Sequence, residues 1–190
     1  MKNLRFSVHP FAASGIFLLL FAAPPTYAFC ALSAVLLHEA GHTAMALLFH
    51  GQIRSIRLMP TGISISLSRA SSYREEFFVA LAGPLMNILS AILSPLFSPA
   101  LSQTMLTVSL LLALINLLPI RTIDGGRMLG ALISHTFGEN VSEKVLSFTT
   151  AVSLSLIWML SLYIFFYSGV NFTLLIFCAY LFSYLFLKKL

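Results

Sequence analysis

Residues 35–45 read Val-Leu-Leu-His-Glu-Ala-Gly-His-Thr-Ala-Met, setting two histidines and a glutamate inside a stretch apolar enough to lie in a membrane. Backbone polar groups in lipid must be satisfied within their own segment, which constrains this stretch to a helix. On a helix His38 and His42 stand one turn apart on one face, with Glu39 beside them. This is the HExxH pattern, in which two imidazoles reach one metal and the glutamate holds and deprotonates a water. Ionisable side chains at membrane depth are costly and mark functional sites. The competing reading is a buried, non-catalytic histidine pair.

Composition agrees with a membrane setting. Hydrophobic residues make up 58 % of the chain, charged residues 9 %, and there are 17 Phe in 190 residues. With a mean hydropathy of +0.94, the chain is predicted to be polytopic rather than a soluble domain. The apolar run Phe11 to Ala23 follows a charged segment, as a signal peptide would. The metal motif and further spans follow it, which argues against cleavage. Cys30 and Cys178 both sit in apolar spans and far apart in sequence, a pattern of buried free thiols rather than a disulfide or metal pair.

At ~20 apolar residues per crossing the chain divides into about six segments. They are Pro10 to Ala23, Tyr27 to Phe49, Glu76 to Phe97, Met105 to Ser134 with a break, Val145 to Tyr167, and Asn171 to Leu187. The expected fold is an all-α polytopic membrane protein of about six transmembrane helices with a broken fourth segment. Between the second and third spans, Ile63, Ile65 and Leu67 alternate with Ser64, Ser66 and Ser68, after the turn signal Pro60-Thr61-Gly62. Period two with a turn predicts a small interfacial β hairpin. It is either a structural loop or an edge that pairs with an extended substrate.

Charge placement sets the orientation. With a cytoplasmic N-terminus and an even number of crossings, Lys2, Arg5, Arg54, Arg57, Arg69, Arg74, Lys144, Lys188 and Lys189 all fall inside. Arg121 and Arg127 lie at the break in the fourth segment, toward its inner half. Both termini are therefore expected in the cytoplasm. The net charge of +5 is accounted for by topology and anionic lipid, without a nucleic-acid partner. On this reading His38 and His42 lie roughly 12 to 18 Å from the inner end of their helix.

Two histidines leave a catalytic zinc one protein ligand short. Glu75 and Glu76 open the third span, while Glu139 and Glu143 lie in a polar inner loop. What remains is Asp124, the only aspartate of the chain. It belongs to Asn116-Leu117-Leu118-Pro119-Ile120-Arg121-Thr122-Ile123-Asp124-Gly125-Gly126, where Pro and a Gly pair interrupt a spanning segment. Broken backbone at membrane depth is tolerated where it lines a cavity or is buried in protein. Asn116 is a candidate to hold substrate backbone, and Pro119 to shape the turn. The competing readings are that Asp124 caps the following helix, that Asn116 satisfies a neighbouring carbonyl, and that His50 or His135 is the third ligand. Gly83-Pro84 predicts a third span packed closely near the metal helix.

The HEAGH in the second span, Ala82-Gly83-Pro84-Leu85-Met86-Asn87 in the third and Asn116 to Gly126 in the fourth resemble the site-2 protease family of intramembrane zinc metalloproteases. Val8-His9-Pro10-Phe11, Arg74-Glu75-Glu76-Phe77 and Asn116-Leu117-Leu118-Pro119-Ile120 resemble its sporulation branch, whose known member processes the membrane-associated precursor of sigma-K. The resemblance runs from about Val8 to Met128. It implies His38, His42 and Asp124 as ligands of one zinc ion per chain, Glu39 as catalytic base, and Asn116 and Pro119 near the substrate. The sporulation enzyme carries a CBS domain after its membrane core, whereas this sequence ends at Lys188-Lys189-Leu190. A single integral membrane protease domain over residues 1–190, without a CBS domain, is expected.

The expected chemistry is hydrolysis of a peptide bond in or near the membrane segment of a membrane-associated protein. A sigma-factor precursor or other tethered transcription regulator is the implied substrate. The resemblance extends to a multi-pass location in the cell membrane, including the membrane around the forespore. A membrane inhibitor or regulator and a homo-oligomer are compatible with it. The alternative is a metal-binding, non-proteolytic scaffold or transporter, which needs no base where Glu39 stands.

Overall fold

A computed structural model describes residues 23–49 and 72–167 with their side chains, and residue 168 and the strands 5–8, 53–59 and 62–67 as backbone. The expected first and last spans, along with His9, His50 and Cys178, lie outside these residues. The chain divides into two compact units, Met1–Leu117 and Leu118–Leu190.

The first unit holds helices α1 (Pro25–Leu48), α2 (Tyr73–Leu93) and α3 (Pro99–Leu117), with a short 3-10 turn, Ser94–Leu96, after α2. It also holds strands β1 (Arg5–Val8), β2 (Ile53–Met59) and β3 (Gly62–Leu67). The strands form one sheet in the order β1-β2-β3, with β2 parallel to β1 and antiparallel to β3.

Local chemistry sets the helix starts. Pro24 precedes α1 and Pro25 opens it, where a missing N–H costs nothing, so the helix begins ahead of the expected Tyr27. Ser72 caps α2, its side chain accepting from the Glu75 N–H at 3.2 Å, and Glu75 and Glu76 lie in the first turn. The Ser-x-x-Glu spacing is that of a capping box, which starts the helix one turn before the expected Glu76. Ser98 accepts from the backbone of Leu101 and Ser102 at 2.9 Å each, so α3 begins at Pro99 rather than Met105.

On α1 the buried residues Cys30, Ala34, His38 and Gly41 recur at helical spacing and face the neighbouring helices, while Leu36 and Leu47 point outward. Both α2 and α3 pack against α1 and against each other. A side chain at Gly41 would come within 2.6 Å of the Ala82 carbonyl oxygen, so α1 and α2 meet backbone to backbone, as Gly83-Pro84 predicts. Cys30 is a buried free thiol, with Sγ 3.9 Å from the Leu101 carbonyl oxygen.

The second unit opens on the break. Ile120 N–H donates to Leu118 O at 2.8 Å across Pro119, and Ile123 N–H donates to Ile120 O at 3.1 Å. Two tight turns thus replace the helix between Leu117 and Asp124. Helix α4 (Asp124–Phe137) follows, then Gly138 at φ 85°, a left-handed conformation that glycine adopts without steric cost, then α5 (Glu139–Ser168). The Ser142 hydroxyl on α5 donates to the Gly130 carbonyl on α4 at 3.1 Å.

Among the described residues, four helices are long and apolar enough to cross a membrane: Pro25–Leu48, Tyr73–Leu96, Pro99–Leu117 and Glu139–Tyr167. Leu36, Leu48, Leu114, Phe148, Phe166 and Tyr167 are large apolar residues exposed on these helices. Such surfaces suit lipid and not water.

Candidate metal centre

In the first unit, the face of α1 that turns toward α2 carries the histidine pair. His38 is buried and His42 half-buried. Their rings meet edge to face, with centroids 4.6 Å apart and planes at 87°, and their Nε2 atoms are 3.0 Å apart. Each ring is held at its other nitrogen by α2. His42 Nδ1–H donates to the Val79 carbonyl oxygen at 2.7 Å, and Asn87 Nδ2–H donates to His38 Nδ1 at 2.9 Å. The Asn87 side chain is fully buried, and its Oδ1 has no hydrogen-bond partner among the described residues.

Space for the rings comes from Gly83. A side chain there would overlap Cε1 and Nε2 of His42 and come within 2.8 Å of Cε1 of His38. Val79, Gly83 and Asn87 are four residues apart and form one stripe on α2, facing a pair four residues apart on α1. Glu39 follows His38 on α1, half-buried, and its backbone carbonyl accepts from the Thr43 hydroxyl at 2.8 Å.

The remaining predicted residues divide between the units. Asn116, in the last turn of α3, donates from Nδ2 to the Leu112 carbonyl at 2.9 Å, so one amide hydrogen serves its own helix. Pro119 sits inside the tight turn of the second unit. Asp124 is buried, and it opens α4 as the first helical residue. The N-cap position is Ile123, so the helix begins at Asp124 itself. At the first turn the carboxylate sits in the favourable field of the helix N-terminus. Arg127 Nη1 lies 3.3 Å from its Oδ1.

Gly126 lets α4 fold back on the turn, since a side chain there would overlap the Ile120 carbonyl. Arg121 N–H donates to Thr150 Oγ1 at 3.0 Å and ties the turn to α5. The Arg121 guanidinium pairs with Glu143 at the surface, a contact of small energetic weight. His135 is exposed near the end of α4.

Sequence reasoning assigned no role to Val79 or Asn87 and gave Gly83 only a packing role. The readable signal was the spacing of four within Val79 to Asn87, matching that of the two histidines.

The family model of peptidase family M50 matches residues 98–160. Over these residues the chain is similar to peptidase family M50. It is 33 % identical over 141 residues to Stage IV sporulation protein FB of Bacillus subtilis, covering 69 % of this chain and 48 % of that protein. It is 29 % identical over 136 residues to a zinc metalloprotease of Methanocaldococcus jannaschii, covering 67 % and 40 %. The chain thus spans less than half the length of these relatives. The solved Site-2 Protease from Methanocaldococcus jannaschii shares the fold, with a TM-score of 0.67 at 22 % identity, over 96 % of this chain and 90 % of that one. With its apolar helices and this fold, the chain is a multi-pass membrane protein.

Proposed function

We propose that the chain is an intramembrane zinc metalloprotease that hydrolyses a peptide bond in or near the membrane segment of a membrane-associated protein. The histidine pair carries this reading. Two nitrogens on one tetrahedral zinc stand roughly 3.3 Å apart, and the two Nε2 atoms are already 3.0 Å apart, with both rings held from behind. Gly83 is the cradle that a side chain would fill.

We assign the third ligand to Asp124. Two imidazoles and a carboxylate form a donor set that suits a catalytic zinc with one position open. Zinc, when bound, supplies Lewis acidity to a water and to the scissile carbonyl. Glu39 takes the proton of the water and passes it to the leaving amine. Asn116 and Pro119 present the substrate backbone. β3 is an edge strand that neighbours α1, so an extended substrate segment can add to it as a further strand. A helical substrate must unwind to expose its peptide bond, which favours helix-breaking residues near the cut.

Similarity to a sporulation protein supports a sigma-factor precursor or another tethered transcription regulator as substrate. We take residues 1–190 to act as one integral membrane protease domain with both termini in the cytoplasm. The test is co-expression with membrane-tethered transcription regulators, mass measurement of any released fragment, and zinc analysis of the purified chain. One zinc per chain and a fragment cut within or beside the membrane segment are expected. A chain that takes up no zinc would refute the reading.

A further inference from the structure

Hydrogen bonds around the histidine pair have a fixed direction, and it is not the direction that a metal requires. A backbone carbonyl only accepts, so at 2.7 Å from Val79 O the Nδ1 of His42 must carry its proton. In the neutral ring, Nε2 of His42 then presents a lone pair. On the other side, the Asn87 amide nitrogen only donates, so at 2.9 Å Nδ1 of His38 must accept. The proton of His38 then sits on Nε2, and Nε2–H points at Nε2 of His42, 3.0 Å away. These three hydrogen bonds run in one direction, from Asn87 through His38 and His42 to Val79.

Holding a metal through Nε2 requires a lone pair on that atom in both rings. His42 already meets this condition. His38 does not, and it meets it only if its proton sits on Nδ1, facing an acceptor. The same Asn87 side chain carries that acceptor: Oδ1, fully buried and without a partner among the described residues. Turning the amide over brings Oδ1 to His38 Nδ1 with little change of shape.

We propose that Asn87 is a positioning residue for His38, with an amide that reverses between the metal-free and the zinc-loaded protein and so selects the tautomer of that ligand. This rests on the reading of His38 and His42 as zinc ligands. The proton lost from Nε2 is matched by one gained at Nδ1, leaving the ring neutral. An amide serves both states because it offers a donor and an acceptor at one position. Among the residues near Asn87 in size, Leu offers neither and Asp, as a carboxylate, offers only the acceptor.

The experiment uses the full-length chain in detergent, labelled with nitrogen-15 at histidine, and zinc as the probe. In metal-free wild type, His38 is expected as the Nε2–H tautomer and His42 as the Nδ1–H tautomer; with zinc, both are expected as Nδ1–H. Asn87→Asp should convert His38 to Nδ1–H before any zinc is added and should keep or tighten zinc binding. Asn87→Leu should weaken zinc binding about 10- to 100-fold in competition with a chelator, the usual consequence of removing a partner behind a ligand.

A purely structural role would predict equal damage from both substitutions, with the buried carboxylate the worse of the two. The proposal is overturned if Asn87→Leu binds zinc as wild type does, if Asn87→Asp binds as weakly as Asn87→Leu, or if His38 is already Nδ1–H without metal. Wild type that takes up no zinc would instead overturn the zinc reading, while the metal-free tautomers would still decide the direction of the hydrogen bonds.

Discussion

Gly83 on α2 lies flat against the imidazole of His42 on α1, so close that a methyl group in its place would overlap the ring. The relationship makes a glycine on one helix a condition for the orientation of a candidate ligand on another. Gly83→Ala should push the rings off their holds on Val79 and Asn87. Overpacking of this kind costs about 1–3 kcal/mol. Zinc affinity should therefore fall by about 10-fold or more with the protein still folded, as read by chelator competition alongside a thermal melt. Unchanged affinity would mean that the rings relax elsewhere without cost.

Glu39 stands next to a candidate ligand without being one of the proposed set. Glu39→Gln should keep the fold and bind zinc as wild type does, because the amide is nearly the same shape. Cleavage should fall by about 10²- to 10⁴-fold, since the amide cannot take the proton of the water. Substrate turnover at the wild-type rate would remove Glu39 from the role of base.

Asp124→Ala should lower zinc content together with activity, because it removes one of three proposed protein ligands. His135→Ala should leave the metal in place, as expected for a side chain exposed near the far end of α4. His50→Ala should do the same. Full zinc occupancy in the Asp124 variant, measured by elemental analysis, would return the third position to one of these histidines.

What could be read from the sequence was what is local in it. HExxH is spaced by a single helical turn, and the break at Pro119 is written in residues that stop a helix wherever they occur. The capping box Ser72 to Glu75 was equally local, but the onset of hydropathy at Glu76 drew the boundary a turn too late. Asn87 and Val79 could not be assigned roles by the same means. Their part depends on how α2 is rotated against α1, and that rotation is set by the close approach of Gly41 to Ala82 rather than by any pattern within one helix. A parallel partner for β2 as distant as Arg5–Val8 was likewise outside the reach of local alternation.

Orientation in the membrane decides on which side a product is released. Lys2, Arg5, Arg54, Arg57, Arg69, Arg74, Lys144, Lys188 and Lys189 share one side only when the crossings between them are even in number, and positive charge favours the cytoplasm. A cysteine placed between Gly51 and Arg74 should therefore be protected from an impermeant thiol reagent in intact cells. A cysteine at Ser98, exposed between α2 and α3, should be labelled. Cys30 and Cys178 must be replaced first, and for Cys30 the change should be mild, since its buried thiol makes only a long contact with the Leu101 carbonyl at 3.9 Å. The opposite labelling pattern would invert the protein and turn the inner ends of its helices outward. A cytoplasmic transcription regulator would then be excluded as the product, and the sporulation role would fall even with the metal centre intact.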